Sequence, residues 1–145
     1  MVKEYTATTK DNIALKIFRV NLAAAEKSKL KDQKNINTPI LLVHGLIDSS
    51  DLWFENGEGR SIGYYFADKG FDVWLLNSRG NKYSHSTPSQ KINSFGTEAL
   101  MAAEEKASDY HTYTRFFDFS AQELATVDIP TAYELILKER LDKTK

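Results

Sequence analysis

The chain has 145 residues, 41% of them hydrophobic and 27% charged, with a formal net charge of −1. That length fits one domain, and the near-zero charge gives no electrostatic reason to expect nucleic acid or an anionic membrane as a partner. There is no cysteine, which excludes disulfides, thiolate chemistry and Cys-ligated metals; the three histidines, His44, His85 and His111, lack HExxH or similar spacing, so neither metal nor cofactor is expected.

In chain order, "EYTATTKDNIALKIFRV" reads as a hairpin over 4–20. Thr6, Thr8 and Thr9 favour strand, Asp11-Asn12 supplies the turn, and Ile13, Leu15 and Ile17 alternate with Ala14, Lys16 and Phe18. A polar, Lys- and Asn-rich loop follows over 21–38. "PILLVHG" is a short apolar run between Pro39 and Gly45, the pattern of a strand buried on both faces in a parallel sheet. A helix opens at Ser61, with Ile62, Tyr65, Phe66 and Lys69 at helical spacing and Gly70 in the C-terminal cap position. "FDVWLLN" is a second buried strand, and the two strands with the intervening helix form a core over 39–80.

Residues 81–115 read as an extended loop in which "TEALMAAEEKA" is helix-compatible. The closing helix spans 120–141: Ser120 caps it, Glu123 completes a capping box, and Pro130 should kink or split it near Asp128. The alternation of elements predicts an α/β architecture with a mostly parallel sheet.

"GRSIG", Gly59 to Gly63, matches G-x-S-x-G, the pattern of a hydrolase nucleophile elbow. An elbow needs a buried strand directly before the serine, and "DLWFENGEGR" is instead a loop. Ser61 therefore reads as a helix cap, which would make Ser61→Ala costly by about 1 kcal/mol and Ser61→Asp nearly neutral. Asp109 and His111 lie in the polar stretch "KASDYHTYT" and read as surface residues rather than as the rest of a triad.

Several landmarks occur in order: His44-Gly45-Leu46, Gly70-Phe71-Asp72-Val73-Trp74, Asn77-Ser78-Arg79-Gly80-Asn81 with Tyr83-Ser84, and Phe119-Ser120 with Glu123, Asp128 and Pro130. Together they resemble the acid lipases, the gastric and lysosomal lipases of the α/β-hydrolase fold, from Glu4 to about Glu139. The resemblance implies the N-terminal half of an α/β-hydrolase fold with an incomplete sheet, a partial lipase region. It also implies that Ser61 is not the nucleophile, whose Gly-His-Ser-x-Gly elbow follows the helix matching "DIPTAYELIL". By the same resemblance Leu46 supplies a backbone N–H to the oxyanion hole, while no triad residue is present; otherwise His44-Gly45 reads as an ordinary strand-ending turn. The chain departs from the family in its longer stretch between Ser84 and Phe116.

The activity implied is hydrolysis of acylglycerols or sterol esters, a lipid ester being the substrate only if the site is completed, with this chain inactive alone. The alternative is a non-catalytic binding or assembly subunit derived from the lipase fold. The expected partner is a C-terminal hydrolase half, or another protein chain, pairing with the strand at Ile40 to Val43. The chain has no run long enough to span a bilayer and no apolar stretch of the kind a signal peptide needs, a cytoplasmic default at odds with a family usually secreted or lysosomal.

Overall fold

The computed structural model describes residues 2–20, 37–87, 90–91 and 116–141. Most of the expected loop over 21–38, the helix-compatible stretch "TEALMAAEEKA", Asp109 and His111 lie outside them.

The hairpin forms as expected. Strands β1 (Val2–Thr8) and β2 (Ala14–Val20) pair antiparallel, with Thr8 opposite Ala14. In the turn, Ile13 N–H donates to Thr9 Oγ1 at 2.8 Å and Asn12 takes a φ of 68°, a region that Asn enters more cheaply than most residues. Leu15 and Ile17 are fully buried while Lys16 and Phe18 are half-buried, the period-2 pattern of a strand with one face in the core.

Strand β3 (Pro39–Val43) runs parallel to β4 (Asp72–Leu76), and β4 runs antiparallel to β2. The sheet continues from β2 to two short strands, β5 (Ser86–Thr87) and β6 (Gln90–Lys91). It is therefore mixed rather than mostly parallel: the hairpin contributes antiparallel partners, and among the described residues only β3 and β4 form a parallel pair.

The two apolar runs have different fates. All five residues of β4 are buried, but in β3 only Leu42 is, and Val43 is 36% exposed. The expectation that "PILLVHG" is buried on both faces fails because, among the described residues, β3 is the terminal strand of the sheet. Asp72 N–H donates to the Thr38 carbonyl at 2.8 Å. Parallel ladders alternate, so Ile40 and Leu42 aim their amides at β4 while Leu41 and Val43 aim theirs away from the sheet.

Helix α1 (Ile62–Asp68) packs on one sheet face through Gly63, Phe66 and Ala67 rather than through Ile62, Tyr65 and Lys69. The helix is rotated by one position because the Phe54 ring lies on the backbone of Gly63: a Cβ there would sit 2.3 Å from Phe54 Cζ. Gly70 ends the helix with a φ of 83°. Its N–H donates to the Ala67 carbonyl and that of Phe71 to the Phe66 carbonyl, a Schellman closure whose two aromatic rings meet 5.4 Å apart.

The closing helix α2 spans 121–141 on the opposite face, with Ala132 and Ile136 packed among Leu15, Ile17, Trp74 and Leu76. The Ser120–Glu123 capping box is formed. Ahead of Pro130 the helix does not break. It widens into a π turn over Leu124–Asp128, with Ile129 N–H reaching back to the Leu124 carbonyl. The wider turn accommodates a proline that cannot donate a hydrogen bond.

Candidate active site at the ends of the parallel strands

In sheets with parallel strands, ligands bind outside the carboxyl ends of those strands. Here β3 runs into residues 44–48 and β4 into residues 77–84. Between these loops and the start of α2 lies an open cleft of about 950 Å³, walled by Val43, Leu46, Phe117, Phe119, Leu124 and Ile129.

The loop after β4 is tied from all sides. Asn77, fully buried, accepts through Oδ1 from Ser50 N–H at 3.1 Å and from Asn81 Nδ2 at 2.9 Å. Ser84 Oγ donates to the Asn77 carbonyl and accepts from Lys16 N–H at 2.8 Å, which sews the loop to β2. Asn81 Oδ1 accepts from the N–H groups of Tyr83 and Ser84. Gly80, with a φ of 82°, brings the chain against Phe119, whose Cζ would lie 2.7 Å from any Cβ there.

Arg79 is the centre of this loop. Its backbone N–H and Nε donate to the two carboxylate oxygens of Asp128 at 2.9 and 2.8 Å, and its remaining nitrogens reach Asp11 in the hairpin turn. Burial works against the guanidinium charge, but the hydrogen bonds to Asp11 and Asp128 outweigh it and raise its pKa. The same Arg79 hydrogen bonds hold the Asp11 carboxyl down at about 2. Three separate parts of the chain thus meet on one buried side chain.

The loop after β3 has few ties. Leu46 is 81% exposed and Ile47 98% exposed. Ile47 takes a φ of 64°, which for a β-branched residue costs roughly 1–2 kcal/mol. The Leu46 N–H, the donor expected from the sequence, has no hydrogen-bond partner among the described residues and sits at the cleft. The His44 ring binds this loop to the other: Nε2 lies 3.1 Å from both Ser78 N and Asn81 Nδ2, and Nδ1 lies 2.8 Å from the Gly45 carbonyl oxygen, while Asn81 Nδ2 also reaches the Asp48 carbonyl at 3.5 Å.

Ser61 stands away from the cleft. It is 4% exposed and occupies the N-cap position of α1, but its hydroxyl makes no cap bond; it donates to the Gly57 carbonyl at 2.9 Å. The cap position is right and the capping bond is absent, because the tight 57–61 turn offers a nearer acceptor. The expected order of variants reverses: an aspartate, which cannot donate to Gly57, should cost more than an alanine.

Over residues 38–135 the chain matches the alpha/beta hydrolase fold family, and over residues 1–57 the partial alpha/beta-hydrolase lipase region. The chain belongs to the α/β-hydrolase fold family. Its relatives bear out the resemblance to acid lipases. Human lysosomal acid lipase/cholesteryl ester hydrolase is 29% identical over 94% of this chain and 29% of its own length. Human lipase member M is 28% identical over 94% of this chain and 27% of its own, and triacylglycerol lipase 1 of Arabidopsis thaliana is 32% identical over 87% and 25%. This α/β-hydrolase-fold chain spans between a quarter and a third of the length of the curated relatives it matches. Among solved structures, the Pyrococcus furiosus esterase Pf2001 aligns with 76% of the chain and 36% of its own at 19% identity, with a TM-score of 0.38. No helix among the described residues is long and apolar enough to cross a membrane.

Sequence reasoning named Leu46 and missed its surroundings. Asn77, Arg79, Asn81 and Asp128 were landmarks without roles. The available signal was their type: polar residues directly after a buried strand must find partners if they fold inward.

Proposed function

We propose that these 145 residues supply the oxyanion-binding side of an acid-lipase-type carboxylic ester hydrolase acting on lipid esters, acylglycerols or sterol esters. One observation carries the reading: the backbone N–H of Leu46, without a hydrogen-bond partner among the described residues, lies at the carboxyl end of a sheet strand beside an apolar cleft. A backbone N–H aimed at the reacting carbonyl stabilises the oxyanion that forms when an ester is attacked. The apolar walls suit an acyl chain.

The nucleophile comes from outside the described residues, on a strand added to the free edge at Ile40 to Val43. Among the described residues no serine hydroxyl is hydrogen-bonded to a histidine: the hydroxyls of Ser61 and Ser84 donate to backbone carbonyls and that of Ser120 to Glu123. On this reading the 145 residues alone are expected to turn over no ester.

The test is hydrolysis of short- and long-chain p-nitrophenyl esters by the full-length protein and two variants. Leu46→Pro removes the N–H and should lower kcat by roughly 10²–10³ with KM little changed; Leu46→Ala keeps the N–H and should stay near wild type. Full kcat in Leu46→Pro overturns the assignment.

A further inference from the structure

The proposed donor sits in a loop that is exposed, strained and poorly packed. Leu46 and Ile47 touch little, and an amide useful in a transition state must already point at the place where charge develops. Something else has to fix it. Among the described residues two side chains join this loop to the rigid one beside it: Asn81, whose Nδ2 reaches the Asp48 carbonyl at 3.5 Å, and His44, the one that also holds the Gly45–Leu46 peptide.

The chemistry of its ring is determined by its neighbours. A backbone N–H can only donate, and Ser78 N lies 3.1 Å from His44 Nε2. The Asn81 amide presents its NH₂ to the same nitrogen at 3.1 Å. That amide orientation is fixed independently, because Asn81 Oδ1 is taken by the N–H groups of Tyr83 and Ser84. Nε2 must therefore carry the lone pair. The ring proton lies on Nδ1, and it donates to the Gly45 carbonyl at 2.8 Å. One end of the ring grips the β4 loop and the other holds the peptide joining Gly45 to Leu46, whose nitrogen is the donor.

We infer that His44 is a positioning residue: as the neutral Nδ1–H tautomer it latches the 45–48 turn to the 77–81 loop and so aims the Leu46 N–H into the cleft. The consequence for catalysis rests on the reading of Leu46 as an oxyanion donor; the latch itself does not. Glutamine at this position places an acceptor oxygen near the site of Nε2 and loses the donor to Gly45. Phenylalanine keeps the ring's bulk and loses both.

Three measurements on the full-length protein test this. In the wild type, the imidazole ¹⁵N spectrum should show a protonated Nδ1 and a lone-pair Nε2; a proton on Nε2 overturns the latch, and this result needs no variant that folds. In His44→Phe, ¹⁵N relaxation should show residues 45–48 passing from a rigid order parameter of about 0.85 to below about 0.6, while His44→Gln, which keeps the tie to the β4 loop and loses the one to Gly45, falls between the two. A turn as ordered in His44→Phe as in wild type, or equally loosened in both variants, overturns it. In ester hydrolysis, His44→Phe should lose roughly 10²-fold in kcat, the scale of one oxyanion donor, with KM nearly unchanged and with partial rescue in His44→Gln. The two NMR readouts involve no substrate. A failed latch leaves the proposed hydrolysis standing, and a protein that hydrolyses nothing still reports on the latch.

Discussion

Two loops leave the ends of adjacent parallel strands and are built in opposite ways. The one after β4 buries Asn77, Ser78, Arg79 and Ser84 and is tied to the Lys16 N–H of β2, to Asp11 in the hairpin turn and to Asp128 in α2. The one after β3 exposes Leu46 and Ile47 and holds Ile47 in a conformation its side chain disfavours. One loop is a fixed wall; the other is a strained tip that borrows its order from that wall. A site built this way separates stability from function, so that a substitution should damage one far more than the other depending on the loop it falls in.

The comparison is broken most severely at Asp128. Asp128→Ala leaves the buried Arg79 guanidinium with only the partly exposed Asp11, and losing one partner of a buried pair typically costs about 3–5 kcal/mol. A urea melt should show this as a large drop in midpoint at unchanged slope. A loss below about 1 kcal/mol would mean that the wall does not depend on this ion pair.

Ser84→Ala tests the same wall at its join to β2. It strands the Lys16 N–H and the Asn77 carbonyl, and a buried unsatisfied group costs roughly 1–3 kcal/mol. Loss of protection against amide exchange at Lys16 should accompany the drop in the melt.

The strained tip should behave with the opposite sign. Ile47→Asn places a residue tolerant of positive φ where nothing is packed, and should stabilise by about 1 kcal/mol. Destabilisation on that scale would show that Ile47 is held by packing rather than tolerated at a cost.

The smallest effect is the acid response of the Arg79–Asp11 contact. The folded Asp11 carboxyl sits at about 2, below its ordinary value of 3.8. Its contribution is present above the unfolded value and is lost as pH falls through the folded one, so the window is roughly pH 4 to 2. Because the Asp11 side chain is 40% exposed, solvent screens the pair and the change is modest. Asp11→Asn should flatten that part of the stability profile; an unchanged profile would remove Asp11 from the account.

How far the fold could be read in advance follows the range of the forces involved. The hairpin, β4 and the Ser120–Glu123 box were legible because alternation, a contiguous apolar run and a capping pair act over a few residues. β3 was misjudged because burial depends on what lies beside a strand, and "PILLV" shares with "DVWLL" a contiguous apolar run but not its central position in the sheet. The face of α1 was misjudged because the decisive contact, Phe54 on Gly63, comes from a preceding turn. Ser61 was correctly placed and wrongly bonded for a similar reason. In the site, Leu46 was legible only through resemblance. His44 escaped because the nitrogen partners that define its role lie 34 and 37 residues away.

The outer edge of β3 has a consequence in time rather than in energy. With Ile40 and Leu42 bonded to β4, the amides of this strand fall into two classes along five residues. Pro39 has no amide proton, so the edge offers a deuterium-exchange experiment just two outward positions, Leu41 and Val43. They should exchange quickly, Ile40 and Leu42 slowly, and the alternation records which side of the strand is open. Anything that settles against that edge would erase the alternation, residue by residue, whether or not it changed a melting curve.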